Sequence, residues 1–366
     1  MRHLNEKIRF AQASFMSALT LLSPTLVYAN PSGGQVVGGS ASISHGDFST
    51  IIRQSSHKAI INWDSFSIGS NELVRFIQPG AGAIVLNRVT GADLSVILGE
   101  LRANGNVFLV NPNGILFGAG SKVDVAGLMA TTFDISDADF LAGKYTFAQN
   151  SANLASVVNQ GSITVGDNGF VYLVAPSVNN SGLIVAKAGQ VGLGSGTGFT
   201  LDFGGDGLVK FEVSGRVADV VKGPDGRSLS AAVSNDGTIS AAGGRVILTG
   251  DAARGVVSSV VSNTGVIEAT SLSDLAGQVE LLARSGGDVI NSGSIDVSSA
   301  SGSAGQILLS GGNVAQLGAI SADALADGDG GSITLRASEV VALGGDSATT
   351  ANAGLNGDGG SILVIG

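Results

Sequence analysis

The sequence predicts an all-β chain wound as a right-handed parallel β-helix, a solenoid with an N-terminal cap and one projecting hairpin. Three observations lead there. The first is a repeat: Asn-x-Gly-x-Ile occurs at Asn159, Asn180, Asn235, Asn263 and Asn291, and the last three copies are 28 residues apart. The second is a pattern running between the copies, a glycine followed by alternating β-branched and aliphatic residues, as in GFVYLVA from Gly169, GRVILTG from Gly244, GQVELLA from Gly277 and GQILLSG from Gly305. The third is composition, with 56 glycines, no cysteine and 13% charged residues, about half the charged share of an ordinary soluble domain. Units this short cannot bury their own apolar face and must stack on their neighbours. Glycine corners and short strands select a parallel β-helix over a leucine-rich horseshoe, which would need its own leucine consensus. Each turn of such a coil rises by about 4.8 Å, so equivalent corners fall above one another. The amides of Asn235, Asn263 and Asn291 are therefore expected to form a ladder of side-chain hydrogen bonds along one edge.

Taken in chain order, residues 1–29 read as a cleaved export signal. Arg2, Lys7 and Arg9 make a basic start, an apolar stretch follows from Phe10 to Val27, and Val27-Tyr28-Ala29 offers the small side chains a signal peptidase reads. Its removal takes three basic residues and one acidic one, leaving 16 basic and 28 acidic residues, formally −12. A surface of that sign makes nucleic acid an unsuitable partner. Past the signal, no stretch approaches the ~18 uninterrupted apolar residues of a spanning helix. An exported chain without cysteine relies on its backbone ladder and core rather than on disulfides.

The stretch NVFLVNPNGILFG, residues 106–118, interrupts two apolar strands with a tight corner. Pro112 presets φ near −65° at the second turn position, and Asn113 or Gly114 can take the positive φ that a sharp reversal needs. Further on, Ser136 is placed to cap a helix of a turn or two that stops at Gly143. Gly223-Pro224-Asp225-Gly226 reads as the tip of the projecting hairpin. The end of the sequence, GGSILVIG, reads as mid-repeat, so residues 271–366 are expected to be further β-helix repeats of a truncated array.

Several motifs between about Ala59 and Phe147, with a weaker continuation through GFVYLVAPSVNNSGLI from Gly169 and FTLDFGGDGLVKFEV from Phe199, give most of residues 30–270 a resemblance to the secretion domain of two-partner secretion exoproteins, the filamentous haemagglutinin family. They are INWDSFSIG from Ile61, VRFIQPGAGAIVLNRVTG from Val74, ILGELRANGNVFLVNPNGILFG from Ile97, GLMATTFDIS from Gly127 and DADFLAGKYTF from Asp137, in the family's order and approximate spacing. Asn111, Pro112, Asn113, Gly114 and Ile115 resemble the family's own signature, which is associated with recognition by a dedicated outer-membrane partner. Both a structural role, fixing the first coils, and a role in the secretion address stay open. The family's Asn-Pro-Asn-Leu motif is missing; Gln78-Pro79-Gly80 and Leu86-Asn87-Arg88 stand in its region. The resemblance implies passage through the periplasm, engagement of POTRA-type periplasmic domains of an outer-membrane pore, and β-helix growth outside a Gram-negative cell. It implies a secreted or surface-held, adhesin-like product with a host-cell or surface glycan as receptor. Nearest-neighbour stacking would let each emerging repeat fold on the one before, with no contact waiting for the whole chain.

Catalytic, metal and cofactor sites are not expected. His45 and His57 stand twelve residues apart in a polar segment with no cysteine to join them in a zinc site. No Gly-x-Ser-x-Gly elbow and no phosphate loop occur. Asp327 and Asp329, Asp358, and Asp202 with Asp206 offer oxygen ligands for calcium, yet Asp-Gly is also what a β-corner prefers and none completes a calcium loop. Trp63, the single tryptophan, is expected in the core. The chain therefore reads as a binding or structural protein rather than an enzyme. The alternatives are a carbohydrate-active β-helix enzyme and the delivery module of a larger toxin or haemolysin.

Overall fold

The computed structural model describes residues 30–152, 154–203, 210–272 and 275–366; the export signal read at 1–29 and the candidate calcium ligand Asp206 lie outside them. The chain is a parallel β-helix. Three short strands make a typical coil, for example Phe170–Ala175, Ser177–Asn180 and Leu183–Val185. Each strand pairs in parallel with its counterpart one coil on, so Phe170–Ala175 is followed by Gln190–Ser195, Arg245–Gly250 and Gln278–Ala283. The stack begins with a cap in which the chain runs the other way. Gln35–Gly38 pairs antiparallel with Lys58–Trp63, and Ala41–Gly46 with Ser49–Gln54. Toward the C-terminus, Gln306–Gln316 and Ser332–Leu343 continue around a corner and extend the solenoid to Ser361–Ile365.

In-register stacking turns the sequence repeat into columns of like side chains. Val171, Val191, Val246 and Val279 are successive partners, as are Leu173, Leu193, Leu248 and Leu281. The isoleucine of each Asn-x-Gly-x-Ile copy forms a third column through Ile163, Ile184, Ile239, Ile267 and Ile295. All of these are buried in one continuous core. Full burial of each such side chain contributes about 1.5–3 kcal/mol, so the repeat length is held by packing at every coil. Trp63 lies in the same core, with Nε1 donating to Asn87 Oδ1 at 3.0 Å.

The glycines have a steric reason. A methyl group on Gly182, Gly237, Gly265, Gly293 or Gly318 would overlap the carbonyl oxygen of the glycine one coil back, and a second column does the same through Gly189, Gly244, Gly305, Gly331 and Gly360. At these corners consecutive coils lie closer than a Cβ permits.

Outside the solenoid lies an element that the strand periodicity does not announce. Tyr145–Ala148, Gly198–Asp202 and Lys210–Ser214 form a three-stranded antiparallel sheet. With the short helix Asp137–Ala142, which contributes Phe140, it covers an aromatic cluster on the outer side of the coils, including Phe108, Phe133, Phe170 and Tyr172. Ser136 caps that helix through Asp139 N, and Gly143 ends it in the left-handed region at φ 79°. Lys58 donates to the carbonyls of Phe140 and Leu141, each at 3.1 Å, and lies 5.2 Å from the Tyr145 ring centroid. Burial lowers the Lys58 pKa from its ordinary value and pushes the Tyr145 hydroxyl up to about 12. In the solenoid each strand pairs with its counterpart in the coil before, but Tyr145–Ala148 has its strand partner two coils further along the chain.

Arg88 fastens this outer element to the coil. Its guanidinium reaches Asp134 Oδ1 at 2.8 Å, Asp137 Oδ1 at 2.7 Å and the Ile135 carbonyl at 2.6 Å. Arg88→Met is expected to lower stability by about 1–2 kcal/mol, since it removes the charged partner of the half-buried Asp134, which keeps only the donors Ile135 N and Asn150 Nδ2. Arg88→Lys should recover only part of that, because an ammonium cannot reproduce the fork. Chemical denaturation of the three proteins would measure both effects, and equal midpoints would show that Arg88 fastens nothing.

The turn at Gly223-Pro224-Asp225-Gly226 is present: Gly226 N donates to Gly223 O at 2.9 Å and Gly223 N to Arg227 O at 2.8 Å. Its tip is exposed around Asp225 and Arg227, while its base, through Val217 and Val221, is buried in the main core.

Candidate functional site

The corner Asn111–Ile115 is built from the inside. Asn106–Val110 pairs in parallel with Gly127–Thr131, which carries the Asn111 amide to the Thr131 carbonyl at 3.0 Å. Gly114 N donates back to Asn111 O at 3.0 Å, closing a four-residue turn, and Gly114 rather than Asn113 takes the positive φ, at 108°. Any side chain there would be strained, and it would press on Leu94 and the Ser156 carbonyl. Asn111 is fully buried and its side chain is spent. Its Nδ2 donates to Asp93 O and Ser95 Oγ, both at 2.9 Å, and its Oδ1 accepts from Asn113 N at 2.9 Å. Asn113 Nδ2 donates to Gly91 O at 2.9 Å. Ile115 is buried between Ser95 of the previous coil and Val157 of the next.

The corner is therefore a unit of two loops, Asn111–Gly114 locked onto Gly91–Ser95. Sequence reasoning singled out the first and missed the second. The signal was present, since Gly91 closes the VRFIQPGAGAIVLNRVTG motif that precedes the corner. Beside the corner lies a cleft of about 390 Å³, lined by Leu94, Asn113, Gly114, Leu154, Lys222 and Pro224, so the base of the exposed turn reaches over it.

The structure also places Asn235, Asn263 and Asn291 in one chain of hydrogen bonds. Asn235 Nδ2 donates to Asn263 Oδ1 at 2.8 Å and Asn263 Nδ2 to Asn291 Oδ1 at 2.7 Å. The chain is longer than those three. Asn159 donates to Asn180 and Asn180 to Asn235, each at 2.7 Å, and Asn291 ends it on Gln316 Oε1 at 2.7 Å. All six amides are fully buried. Gln316 was missed because it is not asparagine, although Gln316, Gly318 and Ile320 keep the repeat's spacing. In the two preceding coils Phe117 and Ile97 occupy the same column, so the ladder begins at Asn159.

The remaining sequence candidates are not drawn together. His45 is exposed and shares a 3.0 Å hydrogen bond with Thr50 Oγ1, and His57 is exposed at the cap. Asp327 Oδ1 accepts from Asn356 Nδ2 and Asp329 Oδ1 from Asp358 N, both at 2.8 Å, so these carboxylates tie one coil's turn to the next. Among the described residues no three acidic or histidine side chains converge as a metal site, and no helix is long and apolar enough to cross a membrane.

Residues 28–297 match the TPS secretion domain. The chain belongs to that family. Two heme/hemopexin-binding proteins of Haemophilus influenzae are similar to it, one 35% identical over 261 residues and the other 32% over 255 residues. Those matches cover 69% and 63% of this chain but only 27% and 26% of the relatives' own length. The crystal structure of the HMW1 secretion domain from Haemophilus influenzae superposes with a TM-score of 0.71 at 25% identity, over 92% of this chain and all of that one. The TPS domain thus accounts for the cap, the signature corner and the outer sheet, and the same coil continues past residue 297 without a break in strand pairing. A chain carrying this domain is the exoprotein half of a two-partner secretion system of Gram-negative bacteria.

Proposed function

We propose that this chain is exported through a dedicated outer-membrane pore with POTRA-type periplasmic domains, and that the corner Asn111–Ile115 with Gly91–Ser95 is part of what the pore reads. One observation supports a particular timing. In the folded domain every polar atom of the Asn111 side chain is buried and bonded within the chain, so a partner that reads Asn111 meets it before the coil closes. Outside the cell the product is a binding protein, extracellular or held at the surface, with an adhesin-like role toward a host-cell or glycan receptor and no enzymatic activity. The names of the Haemophilus relatives, which are binding proteins, support the class of that role.

The test is export with and without the partner, followed by blots of supernatant and periplasm. The chain should appear outside only with the partner, and Asn111→Ala should reduce export about tenfold or more. Because Asn111→Ala also destabilises the fold, the control is Val279→Ala, a core truncation far from the corner. Equal export loss in two variants of equal stability would leave the corner a purely structural role. Export of the wild type without any partner would remove the reading altogether.

A further inference from the structure

The outer side of the first coils is unusually apolar for a surface that a solenoid by itself would leave in water. Leu86, Phe108, Met129 and Tyr172 are successive partners in neighbouring strands and point away from the core formed by residues such as Leu109, Ala130 and Leu173. All four are essentially unexposed. They are covered by the antiparallel sheet, through Tyr145, Phe147, Phe199, Leu201 and Phe211, with Phe147 and Phe199 stacked at 4.6 Å. The next coil is cut to fit the cover. A side chain on Gly194 would overlap Phe211 and Val213 of the cover, and one on Gly192 would overlap Tyr172 of the coil before and press on Phe211, whereas one coil later the same positions carry Ile247 and Thr249. The solenoid tolerates side chains in that column, so Gly194 serves the cover and not the coil, while Gly192 makes room for Tyr172 beneath the cover.

The chain order makes the cover late. Phe108, Met129 and Tyr172 are in place by residue 175, together with Tyr145–Ala148, whose strand partner in the cover begins at Gly198. Until Gly198–Asp202 and Lys210–Ser214 arrive, an aromatic face and a strand edge are open together. Such a pair of features accepts an added strand, with backbone bonds along the edge and alternate side chains set into the face.

We propose that Gly198–Asp202 and Lys210–Ser214 form a strap that closes after the coils beneath it, and that before closure the aromatic face takes an extended strand of the export partner bearing bulky apolar residues at alternate positions. The occupant's chemistry is that of the strap itself, Phe199 and Leu201 on one strand and Phe211 and Val213 on the other. Displacement by the chain's own strap then releases the partner and commits the domain. This rests on export by a partner pore, but its test is made on the purified full chain.

The strap is opened in two ways, with Phe199→Ser plus Leu201→Ser, and with Gly194→Val. Both variants should keep the far-UV circular dichroism of the coil, lose trypsin protection of the Lys210–Phe211 bond, and bind a fluorescein-labelled peptide TGFTLDF about tenfold more tightly than wild type does. A scrambled peptide should not bind. The partner's purified periplasmic domains should displace the labelled peptide. If the variants stay protected at Lys210, or lose the coil signal with the strap, the strap is not a separate step that follows the coils beneath it. If they open and take no peptide, the face does not accept a strand in trans, and if the periplasmic domains fail to displace it, the partner is not the source. A failure of export in cells would bear on the proposed function alone.

Discussion

Asn263→Ala is expected to lower the free energy of unfolding by about 3 kcal/mol, more than truncating an exposed asparagine, whose loss stays within about 0.5 kcal/mol. The change removes both the acceptor of Asn235 Nδ2 and the donor to Asn291 Oδ1 in a site with no water-facing atom. Each buried polar group left unpaired costs about 1–3 kcal/mol, and the weaker contacts of Asn235 to the Gly237 and Val266 carbonyls, at 3.4 and 3.3 Å, recover part of it. Asn263→Asp gives the ladder a pH signature. A carboxylate there still accepts from Asn235 but cannot donate to Asn291, and burial raises its folded-state pKa above the unfolded value of about 3.9. The folded state then binds the proton more tightly than the unfolded one, so the variant loses stability as pH rises from about 4 toward 7. Melting curves at pH 4 and pH 7 read both effects. An unchanged melting temperature for Asn263→Asp at pH 7 would mean that the amide chain carries no stability.

Gly265→Ala is expected to cost about 3 kcal/mol by forcing two coils apart. The added methyl would overlap the Gly237 carbonyl oxygen, a backbone atom held by the parallel ladder on both sides of the corner. The matched control is Gly345→Ala, where nothing lies within 4 Å of the new methyl; it should stay within about 0.5 kcal/mol. Urea midpoints of the two variants decide the matter. Equal midpoints would show that the glycine columns reflect turn conformation rather than the closeness of the coils.

The helix at Asp137–Ala142, the core position of Trp63 and the repeating strands were all legible because each depends on contacts within one coil or with the next. Asn111 could be singled out from its motif, but not its partners Asp93 and Ser95, since a loop one coil away leaves no mark in local periodicity. Arg88 was quoted among the motif residues without a role. Its partners Asp134 and Asp137 follow nearly two coils later, and only their approach outside the solenoid makes an ion pair of them.

The sequence by itself determined the solenoid. Period-two strands, a recurring motif and columns of corner glycines admit one way of burying so many short apolar faces, and the recurring asparagine fixed which edge carries the ladder. The tertiary structure alone decided what lies on the outside of that coil. Tyr145–Ala148 pairs with Gly198–Asp202 across more than fifty residues of chain, and such a pairing follows from the shape of an aromatic face assembled by four separate coils rather than from any local pattern. Short-range regularity can be read along the chain because neighbours in space are neighbours in the repeat; the cover cannot, because its neighbours become close only once the coil exists.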